Sequence, residues 1–464
     1  MRRNVIALTA FALLAAACGQ YPGVHERVWG RGAGSQLLGP AGTTTGAGPA
    51  ATGTDTSGTG TATGTGGGGG TGGTGGAGGG GGGQGGGGGQ GGGAARPQVG
   101  NDRTGVTADT ITIGIHAPLT GAAPLKQTSF DEGKDLYWLR GNDGKPVEIY
   151  GRQVRVVFRD DRYNPSYAQS VCQDMAEQEN AFLLIGGGGT DQIQACAQYA
   201  AGRGIPYLSA GVTELGLTQL PNYFALSMSY PAQVRLLADM IRSGKYFNVP
   251  KQSRLAAVIT DTSNFDDAAE AFQSEFPQAE LFRPGKNDPA TAQAGQLCDD
   301  RGNEVYDVVF PLTAPNYYFQ MANAASCQPQ YVGVGISMGL DQVAQRTCPA
   351  TDGALFFSPA PAFADAGKYD PGFTRADGED DIVWLFWGLS KTLHEMFKNA
   401  GPNLTREGFI YYTGQGTFSS KIFPDLQYSQ TDHFGANQVH LLENRCQGQQ
   451  EGQYHTAAAF RSSF

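Results

Sequence analysis

Residues 181–209 read AFLLIGGGGTDQIQACAQYAAGRGIPYLS. An apolar run at 181–185 ends in the glycines 186–189, a helical stretch follows at 191–203, and 205–209 is apolar again. Continuous apolar runs mark strands buried on both faces. A strand, a glycine turn, a helix and a second strand in about thirty residues form the unit of a parallel sheet covered by helices.

The same alternation extends in both directions. Upstream, strands are expected at 111–115 and 153–158, with helices at 130–140 and 166–178. Downstream, an apolar run at 223–228 closes the first half, and the pattern restarts with a helix at 232–243 and a strand at 254–260. Helices at 266–275, 290–301 and 317–325 alternate with strands at 279–282, 306–311, 330–334 and 354–358. A polar, turn-rich stretch at 359–381 precedes an apolar helix at 382–398, where Trp384 and Trp387 read as core, and late strands are expected at 438–442 and 457–460. From residue 106 onward the chain has roughly 360 residues, more than a single core usually holds. The expected fold is α/β, with two Rossmann-like lobes of parallel-type sheets joined by a hinge and a ligand cleft between them. The first lobe is expected over about 106–228 and 359–435, the second over about 229–358 and 436–464.

The N-terminus reads differently. Arg2 and Arg3, the apolar run 5–17 and the alanines 15–17 describe a signal peptide over 1–17. That run is too short for a spanning helix, which needs roughly 20 residues. Cys18 followed by Gly19 resembles the lipobox of bacterial lipoproteins, where the thiol is acylated and a lipid anchor results. An ordinary secreted protein with a Cys at its cleavage region is the alternative. After an N-terminal segment at 18–40, residues 41–105 are expected to be a linker. Its stretch 66–93 is glycine interrupted only by Thr71, Thr74, Ala77, Gln84 and Gln90. Without side chains to bury, residues from about 41 to 95 cannot offset the entropy of ordering, and as a flexible coil these roughly 55 residues span on the order of 40 Å.

The formal charge of −10 argues against nucleic acid and offers no basic patch to anionic lipid. Besides Cys18 there are six cysteines, an even number that reads as disulfides in an exported chain. Sequence neighbours favour Cys172–Cys196 and Cys298–Cys327, leaving Cys348–Cys446. No clustered Cys/His spacing supports the rival zinc reading, so no metal and no cofactor are expected. Catalytic signatures are missing as well: there is no HExxH and no P-loop. The pairs Asp160-Asp161, Asp299-Asp300 and Asp380-Asp381 read as solvated or structural, and no enzyme activity is expected.

Ligands of parallel sheets sit beyond the C-terminal strand ends. Gly189 and its neighbours lie there, directly before a helix whose N-terminus suits a carboxylate. Glycine lets the backbone approach a ligand closely. Thr190 adds a hydroxyl at the start of that helix, where a plain cap is the simpler role. A dinucleotide fingerprint fails, because the glycines follow the third strand and no acid lies at the required distance.

Four segments carry a resemblance. ITIGIHAPLTG at 111–121, FRDDRYNP at 158–165, LIGGGGT at 184–190 and GIPYLSAGVT at 204–213 look, in order and spacing, like the strand-to-helix turns of type I periplasmic binding proteins. The nearest branch is the leucine/isoleucine/valine-binding one that serves ABC importers. The resemblance implies that positions matching Thr190, Gly211 and Thr213 grip the carboxylate and amine of an amino acid. It implies that Phe265, in DTSNF at 261–265, closes over the ligand from the second lobe. Tyr317 and Tyr318, just past the strand ending at 311, are further candidates.

Two departures stand out. The family's amine-binding glutamate falls here on Gly335, and 333–339 contains no acid. A buried α-ammonium without a counter-charge is costly, so either Asp341, Asp261 or Asp266 substitutes, or the ligand lacks an α-amine. The family's usual first-lobe bridge joins loops, whereas Cys172 and Cys196 fall in expected helices. The expected function is an extracytoplasmic solute-binding lipoprotein. It would be held at the cell membrane, work as a monomer, and present a closed cleft on a small ligand to an ABC permease. The alternative is a sensor domain on the same fold.

Overall fold

The computed structural model describes residues 96–246, 254–334, 339–374, 379–447 and 451–464. The signal peptide, Cys18, residues 41–95 of the linker and Gly335 lie outside the described residues.

The first sheet is built from β1 (Thr110–Ala117), β2 (Glu148–Ile149), β3 (Arg152–Asp160), β4 (Leu183–Gly186), β5 (Tyr207–Ser209) and β6 (Tyr223–Ala225), in the order β2-β3-β1-β4-β5-β6. All pairings are parallel except the β2–β3 hairpin. Side chains alternate between two buried faces, as the apolar runs require. Ile113, Ile115, Leu183, Ile185, Leu208 and Phe224 point into one core. Leu184, Tyr207 and Tyr223 point into the other.

The second sheet comprises β7 (Leu255–Ile259), β8 (Glu280–Phe282), β9 (Val308–Leu312), β10 (Gln330–Gly333), β11 (Leu355–Ser358), β12 (Val439–Gln447) and β13 (Glu451–Arg461). Its order is β13-β12-β11-β10-β9-β7-β8, with β12 and β13 antiparallel at one edge. The chain therefore leaves the first sheet after β6 and leaves the second after β11. It returns to the second only at β12.

Among the helices, α1 (Pro165–Glu177) and α2 (Thr190–Ala201) cover one face of the first sheet and carry the Cys172–Cys196 bridge. Cys298–Cys327 and Cys348–Cys446 close the other two bridges. α3 (Tyr230–Ser243) begins at a Ser229 cap that accepts from the Ala232 N–H. α4 (Asp266–Glu275) and α5 (Leu340–Thr347) belong with the second sheet.

α6 (Asp381–Ala400) is nearly all buried against the first sheet. Asp380 caps it, and Trp384 and Trp387 sit in the core, donating to the Pro361 carbonyl at 2.9 Å and to Asp370 at 2.8 Å. Its length and apolarity follow from burial on nearly every side. Among the described residues no helix is long and apolar enough to cross a membrane.

Two expectations need correction. The helix over 130–140 is two helices, Gln127–Gly133 and Leu136–Arg140. Gly133 is a poor helix former, and its missing side chain leaves room for Val383 and Phe386 of α6. The linker also ends earlier than residue 105. Residues 97–102 lie along α7 (Arg406–Thr413): Tyr412 donates to the Pro97 carbonyl at 2.6 Å, and the Asp102 N–H donates to Glu407 at 3.1 Å. The Arg406 guanidinium is buried there, donating to the carbonyls of Ala181 at 2.6 Å and Phe182 at 3.0 Å and to Asp102 at 3.1 Å. These polar anchors, rather than apolar side chains, order a segment whose composition reads as linker.

His440 on β12 is wholly buried, and its Nε2 donates to the Ile422 carbonyl at 3.0 Å. Burial lowers its pKa from 6.5 to about 3. The unfolded chain therefore takes up a proton below pH 6.5 that the folded chain refuses, and stability present above that pH is lost as pH falls. Denaturant titrations between about pH 6.5 and 4.5 should show a loss on the order of 2.5 kcal/mol from this group. His440→Gln should flatten that slope; an unchanged pH dependence in the variant would show that other groups set it.

Candidate functional site

β4 runs into a turn in which Gly188 and Gly189 take φ of 95° and 83°, values that favour glycine. Gly186 meets a different constraint: a β-carbon there would collide with the Tyr207 phenol and press on His116. His116 pairs through Nδ1 with Asp161 at 2.8 Å and through Nε2 with the Tyr207 hydroxyl at 2.7 Å, all wholly buried. Nδ1–H donating to the carboxylate, and the phenol donating to Nε2, satisfy every partner. Cys172 and Cys196 lie close to His116. Their sulfurs are joined to each other, so they offer no thiolates to a metal.

The turn delivers the N-terminus of α2 to a cavity of about 80 Å³ between the two sheets. From the first lobe come Leu125, Tyr163, Gly188, Gly189, Thr190, Ile193 and Val212; from the second, Phe265, Thr313, Ala314 and Pro315. Tyr230, at the start of α3, completes the wall. The Thr190 hydroxyl is bonded to the Tyr230 phenol. Burial pushes Tyr163 and Tyr230 up to about 12, so both phenols remain neutral donors. Among the described residues no carboxylate or cationic side chain lines this cavity.

The expected ligand residues divide. Gly189, Thr190 and Phe265 line the cavity. Gly211 and Thr213 sit beside it, flanking Val212, and bond within the protein. The Gly211 N–H donates to the Ser227 hydroxyl at 2.7 Å, and Thr213, wholly buried, donates to Asp267 at 2.9 Å. Tyr317 lines a second, adjoining cavity, and Tyr318 is fully buried core. The substitute acids do not reach the inner cavity either. Asp261 and Asp266 pair with Arg283 at 3.3 and 2.8 Å, and Asp341 lines a separate small cavity with Asp381.

Three functional features escape the sequence reading. One is the His116–Asp161–Tyr207 triad, whose members come from separate strand ends. Another is Gln192, wholly buried beside Gly189 with neither amide atom partnered. Its position in the first turn of a helix was the available signal, since Gln there often serves the helix start. The last is a set of bonds between lobes. Asp191 on α2 contacts both Lys286 and Asn264 of the second lobe. Asp267 accepts from Thr213 and from the Glu214 N–H, and Asn316 donates to the Ala122 carbonyl at 2.5 Å. The cleft is therefore latched shut by polar bonds at its rim. Burial lowers the Lys286 pKa.

A two-lobed chain, hinged by several crossings and closed over a cavity at the strand ends, is the architecture of a cleft-closing binding protein. This chain belongs to the periplasmic binding protein family, which it matches over residues 110–449. No curated protein matches it. Solved structures share the fold at low identity. A Rhodopseudomonas palustris ABC-transporter solute-binding protein, in complex with 3,4-dihydroxybenzoic acid, is 15% identical, covering 76% of this chain and 99% of its own, with a TM-score of 0.59. A fatty acid ABC transporter substrate-binding protein from Thermomonospora curvata is 17% identical, covering 78% and 95%, with a TM-score of 0.61. A leucine-binding protein from Thermotoga maritima is 15% identical, covering 74% and 97%, with a TM-score of 0.58.

Removing the Asp191–Lys286 contact should loosen the latch. In Lys286→Met, opening should become easier by about 1 kcal/mol, seen as roughly fivefold faster hydrogen exchange at 188–193 and 262–266 with the sheets unchanged. Unaltered exchange at those segments would assign closure to other contacts.

Proposed function

We propose that this protein is the extracytoplasmic solute-binding component of an ABC importer. It acts as a monomer, held to the membrane by an acylated Cys18 on the glycine-rich linker. Its ligand is a small carboxylate or amide without an α-amine, gripped between Thr190 at the head of α2 and Phe265 of the second lobe.

The observation that carries this reading is the charge of the inner cavity. Among the described residues it presents a helix N-terminus, two threonines and two neutral phenols, but no carboxylate. An anion gains from the helix end; an ammonium would be desolvated with nothing to balance it. Segment 333–339 also contains no acid in its sequence. The similar structures point the same way in part: the R. palustris protein holds 3,4-dihydroxybenzoic acid and the T. curvata protein is named for fatty acids, whereas the T. maritima protein is named for leucine. Closure of the lobes would bury the ligand and create the surface a permease reads.

A thermal-shift screen of the purified full chain tests this, because a saturating ligand raises the melting temperature by mass action. Small carboxylates and amides should stabilise, and Thr190→Ala should weaken the best of them by about 1 kcal/mol. Selective stabilisation by α-amino acids would sink the amine-free reading. Silence across amino acids, amides, ureas and carboxylates would sink the binding role.

The anchor is tested separately. In a bacterial host that processes lipoproteins, Cys18→Ser should move the chain from the membrane fraction to the soluble one. Membrane retention of the variant would rule out acylation at Cys18 as the tether.

A further inference from the structure

We propose that the cavity beside Tyr317 is a second subsite of the cleft, taking the uncharged, hydrogen-bonding far end of the ligand, a hydroxyl or an amide. The inference rests on reading the inner cavity as the carboxylate site. The two cavities share Tyr163 and Ala314, so they adjoin along one wall. The outer one is larger, about 280 Å³ against about 80 Å³.

Their walls differ in chemistry. The inner cavity is mostly apolar, whereas Thr260, Asn287, Asn316, Tyr317 and Gln320 face the outer one. Two of these residues carry buried polar atoms without a partner. The Tyr317 hydroxyl has none, on a side chain only 9% exposed. Asn316 spends its Nδ2 on the Ala122 carbonyl across the cleft and leaves Oδ1 buried and unpartnered. Unpartnered buried polar atoms are uncommon and costly. Both atoms belong to residues that line this cavity, and a bound group that both donates and accepts would complete them.

Charge decides which group. Lys286 and Asp288 both line this cavity. Lys286 is held by Asp191, and Asp288 accepts from the Gly285 N–H at 2.7 Å. An anionic end would meet the Asp288 carboxylate, and a cationic end the Lys286 ammonium. A neutral hydroxyl or amide meets neither penalty and answers both Tyr317 and Asn316. Burial, with the Asp288 charge adding to it, raises the Tyr317 pKa and keeps its O–H a donor. The implied ligand is bifunctional, with a carboxylate at α2, an apolar body in the inner cavity and a hydroxyl or amide in the outer one.

Isothermal titration of the full chain with straight-chain carboxylic acids of about four to eight carbons, and with their ω-hydroxy, ω-amino and ω-carboxy derivatives, tests this. At the length that spans both cavities, the ω-hydroxyl should raise affinity roughly fivefold over the parent acid. Tyr317→Phe should abolish that gain, so that the ω-hydroxy acid and its parent acid bind the variant equally. Its ligand-free melting temperature should be no lower than wild type, because the hydroxyl removed has no partner. A gain absent at every length, a gain that survives Tyr317→Phe, or a stronger gain from a charged end would overturn the subsite while sparing the carboxylate site. A fall in the ligand-free melting temperature would make the hydroxyl structural and overturn it too. Binding by none of these acids would overturn both.

Discussion

The end of β4 is where two demands on one backbone meet. On one side lies a wholly buried triad, His116, Asp161 and Tyr207, drawn from the ends of three strands. On the other lies the cavity between the lobes. The polypeptide between them has room for no side chain at Gly186 and takes left-handed backbone at Gly188 and Gly189. The triad is fully satisfied internally and so behaves as a rigid polar wedge. It fixes the strand ends relative to one another and thereby aims the head of α2 at the cleft. Neither the direction of the helix end nor the placement of Thr190 would survive a larger residue at this turn.

The second lobe adds what the first lacks. Its contribution to the inner cavity is largely apolar, Phe265 and the 313–315 turn, while its polar groups sit at the rim. That division suits a cleft that must open. Apolar contacts in the centre exclude water and favour closure without directionality. Exposed and half-buried ion pairs at the rim are individually weak, so the latch can be undone at little cost. Bonds such as Asp191 to Lys286 and Asp267 to Thr213 therefore tune an equilibrium.

Much of the architecture was legible because β strands buried on both faces write themselves as apolar runs, and the helices between them are amphipathic. All four first-lobe turns could be placed, and with them Gly189, Thr190 and Phe265. What failed has physical causes. β2 is two residues long and has no periodicity to read. α5 and α7 are only eight residues long, and their positions depend on Asp381 and Arg406 reaching across the fold. Residues 96–105 look like linker by composition, yet backbone hydrogen bonds to α7 order them. The bonds from Gly211 to Ser227 and from Thr213 to Asp267 could not be read either. A hydroxyl's availability is a property of its neighbours, which a turn motif does not encode.

The missing acid and the occupied threonine bear on each other. A site for an α-amino acid must neutralise an ammonium and a carboxylate a few ångströms apart, using an acid and several hydroxyl or backbone donors in one small volume. Here the acid's place in the sequence is glycine, and the Thr213 hydroxyl is turned towards the lobe interface, where Asp267 accepts it. Burial holds the Asp267 pKa above its ordinary value, and the bonds from Thr213 and the Glu214 N–H oppose that rise. The hydroxyl thus stabilises a buried carboxylate of the protein itself. The sequence offers no counter-charge for an amine at that place, and the Thr213 hydroxyl serves a bond between the lobes. Together they leave an inner cavity of threonines, phenols and apolar walls at the head of α2, in a cleft whose closure is partly built in.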